Sequence, residues 1–214
     1  MAPGRFDLIV VNRHDALTGP NVVVTRTALH RVTPARLAQA RAAWAQRLAH
    51  LPRPLVAVLI GGSNGRFRLD APAAEALGNS LARMMRDDRA GVALTPSRRT
   101  SPEALAALRA ALEPLGAWIW TGHGENPYFG LLALADAIVV TEDSVSMVSE
   151  ACATAAPVLL ARLPGRSRRI ALFNRLLIED GRVRDFTGWL DLWPAAPLDD
   201  TPEAGNALRR LLGL

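Results

Sequence analysis

The stretch that most constrains the fold lies between residues 136 and 160. A β-branched apolar run, Ala137-Ile138-Val139-Val140, ends abruptly at Thr141-Glu142-Asp143-Ser144. A helix of mostly small residues begins there, capped by Asp143 or Ser144, and a second apolar run, Val158-Leu159-Leu160, follows Pro157. Two extended runs joined through a helix form the unit of a parallel sheet, because parallel neighbours need a long crossover and cannot be joined by a tight hairpin. The turn after the first run then sits at a strand's carboxyl end, where open α/β sheets bind ligands. A serine-rich helix start with unpaired backbone N–H groups suits phosphate. Glu150 lies four residues after Ser146, so the two share one helix face. A phosphate at the helix start would leave Glu150 about 6 Å further along the axis. A carboxylate there accepts hydrogen bonds from two sugar hydroxyls. The arrangement fits a nucleotide, with diphosphate at the cap and ribose at Glu150; the bland alternative is a capped helix with a solvated glutamate.

The same alternation recurs upstream. Leu55 to Ile60 reads as a buried strand, Gly61-Gly62-Ser63-Asn64-Gly65 as a turn, and Asp70 with Pro72 as the start of a helix ending near Asp88. Gly91 to Leu94 is a strand, and Ser101 caps a helix with Pro102 at its first position. Ala117 to Trp120 is a strand, and Asn126-Pro127-Tyr128 leads into a short helix ending near Ala135. Arg168 to Leu177 and Thr201 to Leu212 read as helices. Strands alternating with helices predict an α/β, Rossmann-like parallel sheet with helices on both faces and right-handed crossovers. Before this block, Phe6 to Val11 and Asn21 to Thr25 are short extended segments, and Thr33-Pro34 opens a helix to about His50. Leu51-Pro52-Arg53-Pro54 breaks the chain and reads as a domain boundary. Residues 1–50 hold too few strands for a domain of their own, whereas 51–214 suffice for a Rossmann-like domain.

Composition narrows the function. Half of the 214 residues are hydrophobic, enough for a substantial core, and all 25 basic residues are Arg. The net charge of +5 favours anionic ligands in general. No basic run is interleaved with aromatics, so nucleic acid is not expected as a partner. The densest basic cluster, Arg166-Ser167-Arg168-Arg169, suits phosphate or an acidic lipid surface, or is simply solvated. Cys152 is the single cysteine, and its place among alanines points to burial. The four histidines lack metal-ligand spacing, so no metal is expected. No apolar run suits a signal peptide or a membrane span, so the expected location is cytoplasmic, with peripheral contact at the inner face of the membrane at most.

In a parallel sheet the strand ends share one edge, and here each is polar or glycine-rich. Gly61 and Gly62 allow close backbone approach to a ligand, with Ser63 and Asn64 beside them, although the dinucleotide spacing GxGxxG is absent. Ser97, Arg98 and Arg99 end the next strand, and Arg suits bidentate phosphate contacts. Asn126 and Tyr128 border the space for a base or sugar, or else cap and pack. Glu142, Asp143, Ser144, Ser146, Met147 and Glu150 complete the candidate nucleotide-binding set. His14 and Asp15 form a separate candidate. Adjacent side chains are expected to point in different directions, which makes no ready relay, but His14 becomes a base or phosphate donor if the N-terminal segment packs over the sheet edge.

Taken together, Arg13-His14-Asp15 with Gly19-Pro20-Asn21, Gly61-Gly62-Ser63-Asn64, Thr95-Pro96-Ser97-Arg98-Arg99-Thr100, Asn126-Pro127-Tyr128 and the run from Thr141 to Glu150 resemble the mitochondrial-fission "elongated mitochondria" family. Its bacterial members are described as glycosyltransferases, and its plant namesake recruits fission machinery. The resemblance implies a two-domain GT-B fold whose C-terminal domain holds a nucleoside-diphosphate sugar, with no tightly bound cofactor. Because the family is longer at its N-terminus, it also implies that residues 1–50 are the remnant of an acceptor-side domain and its linker helix. Two function classes follow. One is a glycosyltransferase acting on a lipid or saccharide acceptor, with His14 and Asp15 as catalytic candidates, Ser144, Ser146 and Arg98 or Arg99 at the diphosphate, and Glu150 at the ribose. The other is a non-catalytic nucleotide-binding or adaptor module.

Overall fold

The computed structural model describes residues 3–214. A short 3-10 turn, Pro3–Arg5, precedes strand β1 (Ile9–Asn12), and a second one, Arg13–Asp15, follows it. Then come β2 (Val22–Thr25), α1 (Pro34–Leu48), β3 (Leu55–Ile60), α2 (Ala71–Asp87), β4 (Gly91–Pro96), α3 (Pro102–Leu112) and β5 (Trp118–Ile119). The chain continues through α4 (Tyr128–Leu134), β6 (Ala137–Thr141), α5 (Val145–Cys152), β7 (Val158–Ala161), α6 (Arg168–Glu179), β8 (Val183–Asp185) and α7 (Thr201–Leu212). Strands β3 to β8 make one parallel sheet in the order β5-β4-β3-β6-β7-β8, while β1 and β2 pair in parallel as a separate ribbon. The sheet thus starts at its centre, grows one way to β5, and reverses between β3 and β6. The expected Rossmann-like α/β class is the one observed.

Burial follows the strand period of two. Along β3, Leu55, Ala57 and Leu59 join one apolar cluster with α1, α4, α5 and α6, while Val56, Val58 and Ile60 join another with α2 and α3. Buried on both faces, β3 reads as an unbroken apolar run, as parallel strands do. Helix starts follow the polar signals in the sequence. Thr33, Asp70, Ser101, Ser144 and Ser167 each accept a hydrogen bond from the backbone N–H three residues on. Ser144, not Asp143, therefore caps α5. At the other end of α5 the buried Arg182 guanidinium donates to the carbonyls of Cys152 and Thr154, a cation placed where the helix dipole favours one.

Three element readings, one missed strand and two ends, need adjusting. The sheet has a sixth strand, β8, where five were expected; it is three residues long at the edge, and only Val183 is buried. β1 begins at Ile9, later than Phe6, and α6 runs on to Glu179. The proline-rich break at 51–54 joins two elements that share one core. Trp44 and Leu48 of α1 lie in the same cluster as Leu55, and a Cβ at Gly130 of α4 would sit 2.4 Å from Trp44 Cγ. Polar contacts hold the N-terminal ribbon in place. Arg26 N donates to Asp200 Oδ2 at 2.6 Å, Ala28 N to Ser149 Oγ at 2.9 Å, and Arg13 pairs with Asp180.

Candidate functional site

The carboxyl ends of β3 and β6 flank the point where the strand order reverses, the place where open α/β sheets bind ligands. Here that point is filled by the protein itself. Gly61 N donates to Thr141 Oγ1 at 2.7 Å, and the Gly61 carbonyl accepts from Thr100 Oγ1 at 2.7 Å and from the Ser97 hydroxyl. A Cβ at Gly61 would lie 2.3 Å from the Asp143 carboxylate, and one at Gly62, with φ at +146°, would lie 2.2 Å from the Arg99 carbonyl oxygen. The two glycines bring three loops into contact, and the close approach they allow is to protein backbone. Arg99 forms an ion pair with Asp143 at 2.8 Å, and the Asp143 side chain is fully buried. Burial pushes the Asp143 carboxyl above its ordinary range, with Thr141 and Arg99 pulling the other way. Ser63 Oγ accepts from Leu69 N, and Asn64 Oδ1 from Arg66 N and Phe67 N, so both shape their own loop. Glu142 accepts from Arg162 and from Leu163 N, which makes it a brace between β6 and the segment after β7.

Beside this locked point lies an open cleft of about 580 Å³. It gathers Ser97, Arg98, Asn126, Tyr128, Met147 and Glu150 from the sequence-derived set, and adds Trp120 and Leu105. Arg98 is exposed and forms no ion pair among the described residues. The Tyr128 hydroxyl donates to Glu150 Oε2 at 2.5 Å, and Tyr128 N to Asn126 Oδ1 at 2.9 Å. Burial first, then the adjacent Glu150 charge, pushes the Tyr128 phenol far above its ordinary value, so it stays a neutral donor. One carboxylate oxygen of Glu150 is thereby fixed, and Oε1 has no hydrogen-bond partner among the described residues. Trp120 Nε1 donates to the His123 carbonyl at 2.7 Å, which fixes the indole. The sequence pattern puts Trp120 inside a strand. β5 in fact ends at Ile119, which releases the ring to the cleft, and a tryptophan beside Thr121-Gly122 was the available signal. At the start of α5, Ser144 Oγ is occupied by Met147 N, while Ser146 is exposed. The N–H groups of Val145 and Ser146 lie in the turn where a helix offers no internal partner.

The first turn of α5 separates this cleft from a second one of about 1000 Å³, lined by Val145, His14, Asn12 and the start of α6. The expectation for His14 and Asp15 needs correction: the 3-10 turn curls the chain so that His14 Nε2 comes within 3.6 Å of Asp15 Oδ1, near each other though beyond hydrogen-bond reach. Asp15 pairs with Arg169 at 2.5 Å. The His14 ring packs edge-on against Phe173 with centroids 5.2 Å apart. Burial lowers its pKa, Asp15 opposes this and Arg169 reinforces it, so the imidazole is neutral near pH 7. The set therefore divides. Ser97, Arg98, Asn126, Tyr128, Met147 and Glu150 share one cleft; His14 lines the other, and Asp15 stands behind it, paired with Arg169. Gly61, Gly62, Arg99 and Asp143 lock the loops, while Ser63, Asn64, Glu142 and Ser144 stabilise local structure. Among the described residues no group of His, Cys, Asp or Glu is arranged to hold a metal ion, and no helix is long and apolar enough to cross a membrane. Cys152 is buried, and its thiol is pushed up to about 12 by desolvation.

Known proteins place the chain. It is 37% identical over 238 residues to the mitochondrial fission protein ELM1 of Arabidopsis thaliana, covering 97% of this chain and 55% of that one. It is 25% identical over 205 residues to the uncharacterized protein RP120 of Rickettsia prowazekii, covering 92% of this chain and 57% of that one. The chain thus spans little more than half the length of the curated relatives it matches. Among solved structures it is similar to WaaG, a glycosyltransferase involved in lipopolysaccharide biosynthesis, with 18% identity and a TM-score of 0.42 over 92% of this chain and 49% of that one. The profile of the Mitochondrial fission ELM1 family matches residues 1–212, nearly the whole length, and the chain belongs to that family.

Proposed function

We propose that the cleft between Trp120 and Glu150 binds a nucleoside-diphosphate sugar, and that the chain is the donor-side part of a GT-B-type glycosyltransferase. The observation that carries this reading is the Tyr128–Glu150 pair. It holds a carboxylate one helical turn beyond the free N–H groups of Val145 and Ser146, facing an aromatic wall. In this reading the base stacks on Trp120, Glu150 Oε1 accepts from the ribose hydroxyls, and the diphosphate lies at the α5 N-terminus with Arg98 beside it. Fixed dipoles and a guanidinium aimed at departing phosphate stabilise charge as it develops. The sugar then extends past the first turn of α5 toward His14. Transfer forms a bond from an acceptor oxygen to the anomeric carbon and breaks the bond to the diphosphate, which leaves with the electron pair. The acceptor hydroxyl proton passes to His14, a neutral imidazole, with Asp15 beside the cation that results. On this reading residues 1–50 belong to the acceptor side and 51–214 to the donor side, and the acceptor is a lipid or saccharide met at a membrane surface.

Calorimetry with a panel of nucleoside diphosphates tests it. Glu150→Ala removes charged hydrogen bonds worth roughly 1.5–3 kcal/mol, so affinity falls about ten- to a hundredfold. An unchanged affinity removes Glu150 from the site, and an absence of binding by the parent chain refutes the donor reading.

A further inference from the structure

The cleft beside His14 carries a charge arrangement that donor binding does not use. An antiparallel bridge between Phe67 and Gly165 lays two loops side by side. Arg68 N donates to the Pro164 carbonyl at 2.8 Å, and Arg166 N to the Arg66 carbonyl at 3.1 Å. Gly165 is needed at this crossing. Its φ is +128°, and a Cβ there would lie 2.2 Å from the Arg66 carbonyl oxygen. The register brings Arg66 and Arg166 to one cleft with Arg168, the first residue of α6. None of these three side chains forms an ion pair among the described residues; the fourth arginine there, Arg169, is taken by Asp15. Gathered like charges repel one another, and a cleft lined by one sign concentrates the opposite ion.

Two further features point to the same ligand. Helix α6 is twelve residues long, and its cap Ser167 uses only the Ile170 N–H, leaving those of Arg168 and Arg169 for an anion. His14 lines the cleft with its side chain only 2% exposed, and its Nδ1 has no hydrogen-bond partner among the described residues. A buried ring nitrogen without a partner costs free energy unless a ligand or water supplies one.

We propose that this cleft is a second anion site that takes a phosphomonoester, and, resting on the donor reading above, that the sugar acceptor carries this group. Three unpaired guanidinium groups exceed what a singly charged diester can neutralise, and they match a dianion with three acceptor oxygens. A phosphate seated on Arg66, Arg166 and the α6 N-terminus leaves the body of the molecule over His14, where an acceptor hydroxyl is needed.

The test is a site-resolved titration of the whole, isotope-labelled chain by nuclear magnetic resonance. One arm uses glycerol 3-phosphate, and the other a short-chain phosphatidic acid below its micelle concentration. We expect saturable shifts at Arg66, Arg168, Arg169 and the His14 ring, with Trp120 and Gly122 unmoved. The arm with the higher affinity tells a free phosphorylated acceptor from a lipid one. The double variant Arg166→Ala with Arg168→Ala, both exposed side chains, should weaken binding roughly tenfold or more. Shifts confined to Val145–Met147 and Trp120, no saturable shift in either arm, or equal affinity in the variant would each overturn the proposal. Because no nucleotide is present, the outcome is independent of the Glu150 calorimetry. If nucleoside diphosphates fail to bind while these shifts appear, the phosphate site stands and its acceptor role falls.

Discussion

The two clefts on either side of the first turn of α5 differ in how their polar groups are partnered. On the Trp120 side most groups hold one another, tyrosine to glutamate, asparagine to backbone, indole to carbonyl, while Arg98 and Glu150 Oε1 stay open among the described residues. On the His14 side three arginines form no ion pair and a buried ring nitrogen has no hydrogen-bond partner among the described residues. A surface for a planar, largely neutral group works best when its side chains are already held in place, because little freedom is then lost on binding. A surface for an anion cannot be finished in this way, since any internal carboxylate would occupy the charge it needs.

The largest effect that could break this contrast is expected from Gly62→Ala. The added methyl meets the Arg99 carbonyl, an overpacking that costs roughly 1–3 kcal/mol, and the backbone at φ +146° suits only glycine. The urea midpoint should fall clearly. The loop at residues 97–98 should shift and deform the Trp120 cleft, while the His14 cleft, held by its own bridge at Gly165, keeps its phosphate shifts. Simultaneous loss of both would show that the clefts form one unit. Tyr128→Phe comes next. It removes the one hydrogen bond that orients the Glu150 carboxylate and leaves the carboxylate itself in place. Nucleoside diphosphate affinity should fall less than in Glu150→Ala, because the carboxylate remains but swings freely. Calorimetry on both variants ranks them, and a Tyr128→Phe chain that binds like the parent would make the pair structural only.

The smallest effect concerns Asp143. Burial raises its folded pKa, so the folded state holds this proton more tightly than the unfolded chain does. The resulting stability is fully present below the unfolded pKa and is lost as pH rises through the folded value. Asparagine cannot titrate, so Asp143→Asn should gain stability relative to the parent between about pH 4 and pH 7. Thermal melts at both ends check this, and a constant difference would mean that Arg99 holds Asp143 ionised at its ordinary pKa.

Much of this was legible in the sequence, for identifiable reasons. Strands buried on both faces, such as Leu55–Ile60 and Ala137–Thr141, appear as unbroken apolar runs, and the helix caps Thr33, Asp70 and Ser101 lie at the expected places. β8 was missed because an edge strand of three residues with one buried side chain has no period to read. Glu150 and Tyr128 were both chosen, yet their contact spans 22 positions and no local pattern announces it. Glu142 and Arg99 read as ligand contacts because they follow strand ends, but their partners, Arg162 and Asp143, come from neighbouring loops. The basic run at 166–169 was visible; Arg66 joins it only through the bridge at Gly165.

The ties of the N-terminal ribbon bear on how the molecule assembles. Arg26 is anchored by Asp200, 174 positions later, Arg13 by Asp180, and Asp15 by Arg169. On the ribosome, at roughly 5–20 residues per second, the first residues wait on the order of ten seconds or more for these anchors to be made. Through that interval β3, β4 and β6 can pair and bury their faces, while β1 and β2 lack these three anchors. The ribbon's anchors therefore arrive late, and His14 reaches its position only once α6 is there to pack against.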